Sequence, residues 1–175
     1  LDRILIIGSS AAGKSSLAIK LGEILGKKVH HLDAYYWQPN WRPLEKEKFR
    51  EVNHRLVQDS EWIIDGFYGS TFDIRLKEAD TVILLDYSRY LCMYRAIKRR
   101  IQYNGTIRPD MGSGCKEKID LEFLKYIWDF PKNKMSEINQ SLAESELQRV
   151  IRLESPKETE QFIRNVKEKM SQETG

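Results

Sequence analysis

The stretch "GSSAAGKS", Gly8 to Ser15, decides the fold. It satisfies the spacing G-x-x-x-x-G-K-[S/T], and both of its flanks fit that motif. Before it stands "RILIIG", Arg3 to Gly8, an isoleucine-rich run that ends on glycine and predicts a buried strand of a parallel sheet. After it comes "KSSLAIKLGEILG", where Leu17, Leu21, Ile24 and Leu25 recur at helical spacing and Gly26 can end the helix. A loop so placed suits phosphate for physical reasons. Its backbone N–H groups converge on phosphate oxygens, glycine admits close approach, and the helix adds its positive end. Gly8, Ser9, Ser10, Ala11, Ala12, Gly13, Lys14, Ser15 and Ser16 are the expected nucleotide-binding residues. Lys14 is expected to reach the β- and γ-phosphates of ATP, and Ser15 to hold Mg²⁺.

Outward from the loop, strand and helix patterns alternate. "KVHHLD" predicts a second strand, and "LEKEKFREVNHRLVQD" a helix with Phe49, Val52 and Leu56 on one face. "EWIIDG" and "DTVILLDYS" are two more apolar runs, each ending in aspartate. Tyr90 to Ile101 has helical spacing with Leu91, Tyr94, Ile97 and Ile101 expected inward. "LEFLKYIWDF" predicts another helix, kinked or restarted at Pro131. "QRVIRLES" predicts a last strand. In the terminal helix Ser155 and Glu158 form a capping box and Pro156 takes the first helical position. Such alternation implies a parallel sheet covered on both sides, in one domain spanning 1–175.

The chain has 175 residues, 41% of them hydrophobic, enough for one buried core. Its net charge is only +3, yet Arg95 to Lys118 holds seven cations against two anions, +5 in all, leaving −2 for the rest. Positive charge gathers in and around "KRRIQYNGTIRPDMGSGCKEK", Lys98 to Lys118, and calls for a local anionic partner. Cys92 and Cys115 have no metal-ligand spacing and are expected to be free thiols in a reducing, cytoplasmic setting. No apolar run reaches membrane-span length, and no signal peptide is expected ahead of the first strand.

Three aspartates close predicted strands: Asp33, Asp65 and Asp86. Ligands of parallel sheets lie beyond the carboxyl ends of the strands. A carboxylate there can order Mg²⁺ waters or accept a hydroxyl proton; a solvated turn or helix cap is the alternative. Asp33 and Asp65 rank first, while Asp86, ahead of Tyr87 and Ser88, is read as a helix-cap candidate. Arg95 and Arg99 share a helix face at i, i+4, which suits phosphoryl transfer or, alternatively, a solvated basic face. Arg75 could serve the site or pair with Glu78 at the surface. Tyr35, Tyr36, Trp37 and Trp41 in "DAYYWQPNW" could wall an acceptor pocket or form a small satellite core. His30, His31 and His54 are assigned structural roles.

From Ile4 to about Pro131 the chain resembles the bacterial DNA topology modulation proteins, relatives of adenylate kinase and shikimate kinase. The phosphate loop, "HLDAYYWQPNW", "WIIDGFYG", "RLKEADTVILLDYSR", "RRIQYNGTIRPDMGSGC" and "DLEFLKYIWDFPK" carry the likeness. It implies a three-layer α/β fold of the nucleoside-monophosphate-kinase type with a five-stranded parallel sheet. An acceptor-binding segment over about 33–60 and a lid over about 101–116 are implied with it. It further implies that Asp33 meets the acceptor, that Asp65 orders Mg²⁺ through water, and that Arg95, Arg99 and Arg108 act on phosphate. Adenylate kinases continue with Gly-Phe-Pro-Arg where this chain has Gly66-Phe67-Tyr68-Gly69. A monophosphate-gripping arginine is missing there unless Arg75 replaces it.

Three functions are open at this level. One is an ATP- and Mg²⁺-dependent kinase for a small nucleotide, nucleoside or other hydroxylated metabolite, with Lys14, Asp33, Arg95, Arg99 and Arg108 as its working residues. Another is a nucleotide-dependent DNA-binding regulator, for which no helix-turn-helix or zinc motif speaks. A plain ATPase differs from the kinase only by lacking an acceptor. The sequence does not indicate an oligomeric state.

Overall fold

A computed structural model describes residues 1–103, 111, 114–115, 120–147 and 149–173. In chain order its elements are β1 (Arg3–Gly8), α1 (Lys14–Leu25), β2 (Val29–His31), α2 (Leu32–Tyr36) and a hairpin of β3 (Trp37–Gln38) and β4 (Arg42–Pro43). Then follow α3 (Lys46–Leu56), β5 (Trp62–Asp65), α4 (Phe72–Glu78), β6 (Thr81–Leu85) and α5 (Arg89–Gln102). After the segment between α5 and α6 come α6 (Leu121–Asn133), α7 (Met135–Glu144), β7 (Val150–Leu153) and α8 (Pro156–Glu173).

The five longer strands form one parallel sheet in the order β2-β5-β1-β6-β7. Both faces of the sheet are covered, as unbroken apolar strands require. On one side Leu5, Ile7, Trp62, Ile64, Val82 and Leu84 pack with Phe49 of α3, Phe72 of α4, Phe130 of α6 and Ile138 of α7. On the other, Ile4, Ile6, Ile63, Ile83 and Leu85 pack with Leu17 and Leu21 of α1, Cys92 and Ala96 of α5 and Val166 of α8. The result is the expected three-layer α/β architecture. Register sets Ile6 beside Asp65, His31 beside Asp65, and Gly8 beside Leu85. The carboxyl ends of the strands therefore open onto one edge.

The face of α5 differs from expectation. Tyr94, Ile97 and Ile101 are exposed, and the buried residues are Cys92 and Ala96. Small side chains let this helix lie close to the sheet, which turns the larger apolar residues outward. Pro131 sits inside α6, and the helix path restarts at α7 after Lys134. The capping box holds: the Glu158 N–H donates to Ser155 Oγ, and the Glu158 carboxylate accepts from the Ser155 hydroxyl and the Glu154 N–H. Both cysteines are free and buried. Among the described residues no helix is long and apolar enough to cross a membrane.

Gly8 ends β1 at φ +142°, and a β-carbon there would stand 2.4 Å from the Leu85 carbonyl oxygen. That oxygen belongs to the neighbouring strand and cannot step aside. Gly8→Ala is expected to destabilise the fold by about 3 kcal/mol, from left-handed strain plus overpacking. Chemical denaturation checks this; a loss below about 1 kcal/mol would mean that the two strands can part here.

Candidate active site

The phosphate loop turns off the sheet at Gly8. Ala11 at φ +60° and Gly13 at φ +103° are left-handed, an alternation that gathers backbone N–H groups into an anion-holding concavity. Helix α1 starts at Lys14 with no side-chain cap and no acidic residue in its first turn. Its positive end is thus left for a ligand. The loop faces a cavity of about 960 Å³. Every expected loop residue lines it except Ser9. The Ser9 side chain is buried, and its carbonyl accepts from Lys14 Nζ at 2.8 Å. The Ser9 carbonyl thus holds the lysine.

Burial pushes the Lys14 ammonium below the ordinary lysine range; the Asp33 and Asp65 carboxylates pull it back up, and Arg99 opposes them. Arg95 and Arg99 both line the cavity, as their i, i+4 spacing predicts. Arg95 Nη1 donates to the Ala12 carbonyl at 2.8 Å, and its guanidinium lies 5.3 Å from the Tyr87 ring centroid. The Arg99 guanidinium lies 5.8 Å from the Phe123 ring centroid. Arg108 falls outside the described residues, as does most of the expected lid. Gly114 and Cys115 of that segment are described, and both touch the β3–β4 hairpin. The Asn40 N–H donates to the Gly114 carbonyl, and the Cys115 thiol donates to the Gln38 carbonyl.

Asp33, in the first turn of α2, and Asp65, at the end of β5, line the same cavity. Asp65 is buried, and its Oδ1 accepts from His31 Nδ1 at 2.9 Å. His31 thus orients a site carboxylate, a role its sequence position did not announce. Asp86 lies apart: it accepts from Arg152 Nη1 at 2.6 Å, while Ser88 caps α5.

The largest surprise is Arg75, which is fully buried. It pairs with neither Glu78, which faces Arg3, nor any position open to an acceptor. Its Nη1 donates to the Gly66 carbonyl at 2.6 Å, and its Nη2 to those of Phe67 at 2.6 Å and Tyr68 at 3.1 Å. The turn it grips is strained: Tyr68 stands at φ +36°. The Tyr68 hydroxyl in turn donates to Asp33 Oδ1 at 2.5 Å. Tyr36 and Phe49 pack against the Tyr68 ring at 4.7 and 5.1 Å between centroids. Trp37 and Trp41 wall the cavity, Tyr36 packs against the main core on one face of the sheet and forms no separate satellite, and the Tyr35 hydroxyl bonds His30. Tyr126 and Lys134 of the α6–α7 region complete the wall, and neither carried a sequence signal.

No protein-family model and no curated protein matches the chain. Solved structures do match. A gluconokinase from Sinorhizobium meliloti 1021 is 14% identical, with 98% of this chain and 92% of that chain covered and a TM-score of 0.55. A shikimate kinase from Bacteroides thetaiotaomicron is 16% identical over 97% and 98%, at 0.58. The shikimate kinase from Acinetobacter baumannii in complex with shikimate is 13% identical over 95% and 90%, at 0.59. At these identities the likeness is one of fold, and it spans nearly the whole chain.

Removing the Arg75 guanidinium would strand the Gly66 and Phe67 carbonyls and leave that of Tyr68 to the Thr71 N–H and hydroxyl. Arg75→Met is expected to cost about 3–5 kcal/mol in denaturant unfolding. Arg75→Lys, charged but unable to fork, is expected to recover less than half of that. Wild-type stability in Arg75→Met would show that the turn holds itself.

Proposed function

We propose that the chain is an ATP-dependent phosphotransferase that moves the γ-phosphoryl group of ATP to a hydroxyl of a small acceptor. One observation carries this reading. A single cavity holds an uncapped phosphate loop with Lys14, Arg95 and Arg99 on one side and the Asp33 and Asp65 carboxylates on the other. Asp65 can serve nucleotide and its Mg²⁺, but Asp33 has no such task, and its place in the cavity supports an acceptor. The fold shared with gluconokinase and shikimate kinases supports it, as do the sequence motifs resembling the DNA topology modulation proteins.

The loop N–H groups and Lys14 hold the phosphates of ATP. Asp33 accepts the proton of the acceptor hydroxyl as its oxygen bonds to the γ-phosphorus. The bond to the bridging oxygen breaks, and ADP leaves with that electron pair. Arg95 and Arg99, with Arg108 of the lid segment, answer the charge that spreads over the transferring group. Among the described residues no cluster of three His, Cys, Asp or Glu side chains could hold a metal by itself. The donor set therefore fits Mg²⁺ that arrives with phosphate. Ser15 would ligate it and Asp65 would order its water, and the ion would neutralise phosphate charge. Two free, buried thiols support a reducing, cytoplasmic setting.

Lys14→Ala is expected to abolish ATP turnover in a coupled ADP-release assay; unchanged turnover would remove the mechanism. A second expectation concerns protons. Burial holds Lys14 below its ordinary value of 10.5. Phosphate beside the ammonium favours its charged form and raises it. Binding of ATP should therefore take up protons through Lys14 as pH approaches 10.5, where the lysine without phosphate has discharged and the lysine beside phosphate has not. Calorimetry in buffers of different ionisation enthalpy reads this, and Lys14→Met should erase it.

A further inference from the structure

We infer that the acceptor is an electrically neutral, hydroxylated ring compound, a nucleoside or a sugar, and neither a nucleotide nor a carboxylic acid. The inference rests on the phosphotransferase reading of the same cavity and goes on to the chemistry of its acceptor end.

Charge is distributed unevenly along the cavity. Of the described cations that line it, Lys14, Lys20, Arg95 and Arg99 stand on α1 and α5, around the phosphate loop. Among the described residues that line the cavity, the acceptor end has Lys134 alone, and its Nζ lies 3.0 Å from Glu137 Oε2. The two arginines that reach the turn after β5 are committed to holding it. Arg75 is spent on three backbone carbonyls. Arg50 donates to the Ser70 carbonyl at 2.7 Å and to Asp73 at 3.4 Å. An acceptor carrying its own anion would set that charge beside Asp33, with Lys134 already answered by Glu137. Such a juxtaposition acts against the wrong substrate.

What this end does offer suits an uncharged ring. Trp37, Trp41 and Tyr126 line it with aromatic surface, the two indoles 5.5 Å apart edge to face, against which a ring can pack. Burial pushes the Tyr126 phenol up to about 12, with Asp33 and Glu137 adding to the shift, so it stays a neutral hydrogen-bond donor. The Asp33 carboxylate meets a hydroxyl, not a phosphate. One of its oxygens is occupied by the Tyr68 hydroxyl, a geometry fixed from below by Arg75. That arrangement selects one hydroxyl in one orientation.

The test is a direct competition of acceptor classes on the full chain with ATP and Mg²⁺. Adenosine, cytidine, uridine and glucose are set against the three nucleosides' 5′-monophosphates, gluconate and shikimate. Phosphorylated product is identified by mass spectrometry. At least one neutral compound is expected to be phosphorylated with kcat/KM about 100-fold above every anionic one. Preference for a monophosphate or an acid would overturn the inference and leave the phosphotransferase standing. Lys14-dependent ATP binding with no compound phosphorylated would overturn both.

Discussion

Gly8 and the Leu85 carbonyl approach each other so closely that no side chain fits between them. This contact fixes where β1 stops and where the chain turns away from the sheet. Everything functional is hung from that point. The turn yields a concavity of backbone N–H groups, and α1 begins without a cap. Side chains cap three of the other helices: Ser88 serves α5, Asp120 serves α6 and Ser155 serves α8. Helices α2, α3, α4 and α7 lack a side-chain cap but carry an acidic residue in the first turn, Asp33, Glu47, Asp73 and Glu137, whereas α1 has neither. Its partner charge is left for a ligand to bring.

Burying a whole arginine beneath a turn is costly unless its donors are answered. At Arg75 both terminal nitrogens are answered by backbone, while the buried Nε is left without a partner. Where the chain leaves β5 it no longer pairs with a strand, so the carbonyls of Gly66 and Phe67 need donors, and that of Tyr68 shares Arg75 with Thr71. A planar fork meets all three at once. With the turn held, Tyr68 can stay in a left-handed conformation and aim its hydroxyl at Asp33. The residue that could have gripped a phosphate on the acceptor is thus consumed in shaping the site.

The sequence was legible where one local rule governed the outcome. The five sheet strands, the phosphate loop and the terminal capping box each follow from a short pattern, and all appear as expected. It was illegible where the deciding partner lies far along the chain. "YLCMYRAIKRRI" has two possible inward faces, and only the proximity of the sheet selects Cys92 and Ala96 over Tyr94 and Ile97. Arg75, in "DIRLKE", looks like any surface cation until the turn is folded over it. His31 looked structural because its carboxylate, Asp65, is brought beside it only by the pairing of β2 with β5. Helix α4 was missed altogether, being a single short run of seven residues between two apolar strands.

Lys14 marks the boundary between the two halves of the cavity. Behind it lie the loop and the arginines, ahead of it Asp33 and Asp65. Burial and Arg99 act to discharge its ammonium, while the two carboxylates act to keep it charged. The carboxylates thus have a second effect beside their proposed chemistry: they favour the charged form of Lys14. The price is a negative potential on the acceptor side, set against aromatic walls and a lysine already paired. A phosphoryl group in transit would move from the cationic half toward the acidic one, carried by an acceptor oxygen that has just given up its proton. An acceptor with no charge of its own adds nothing to the repulsion along that path.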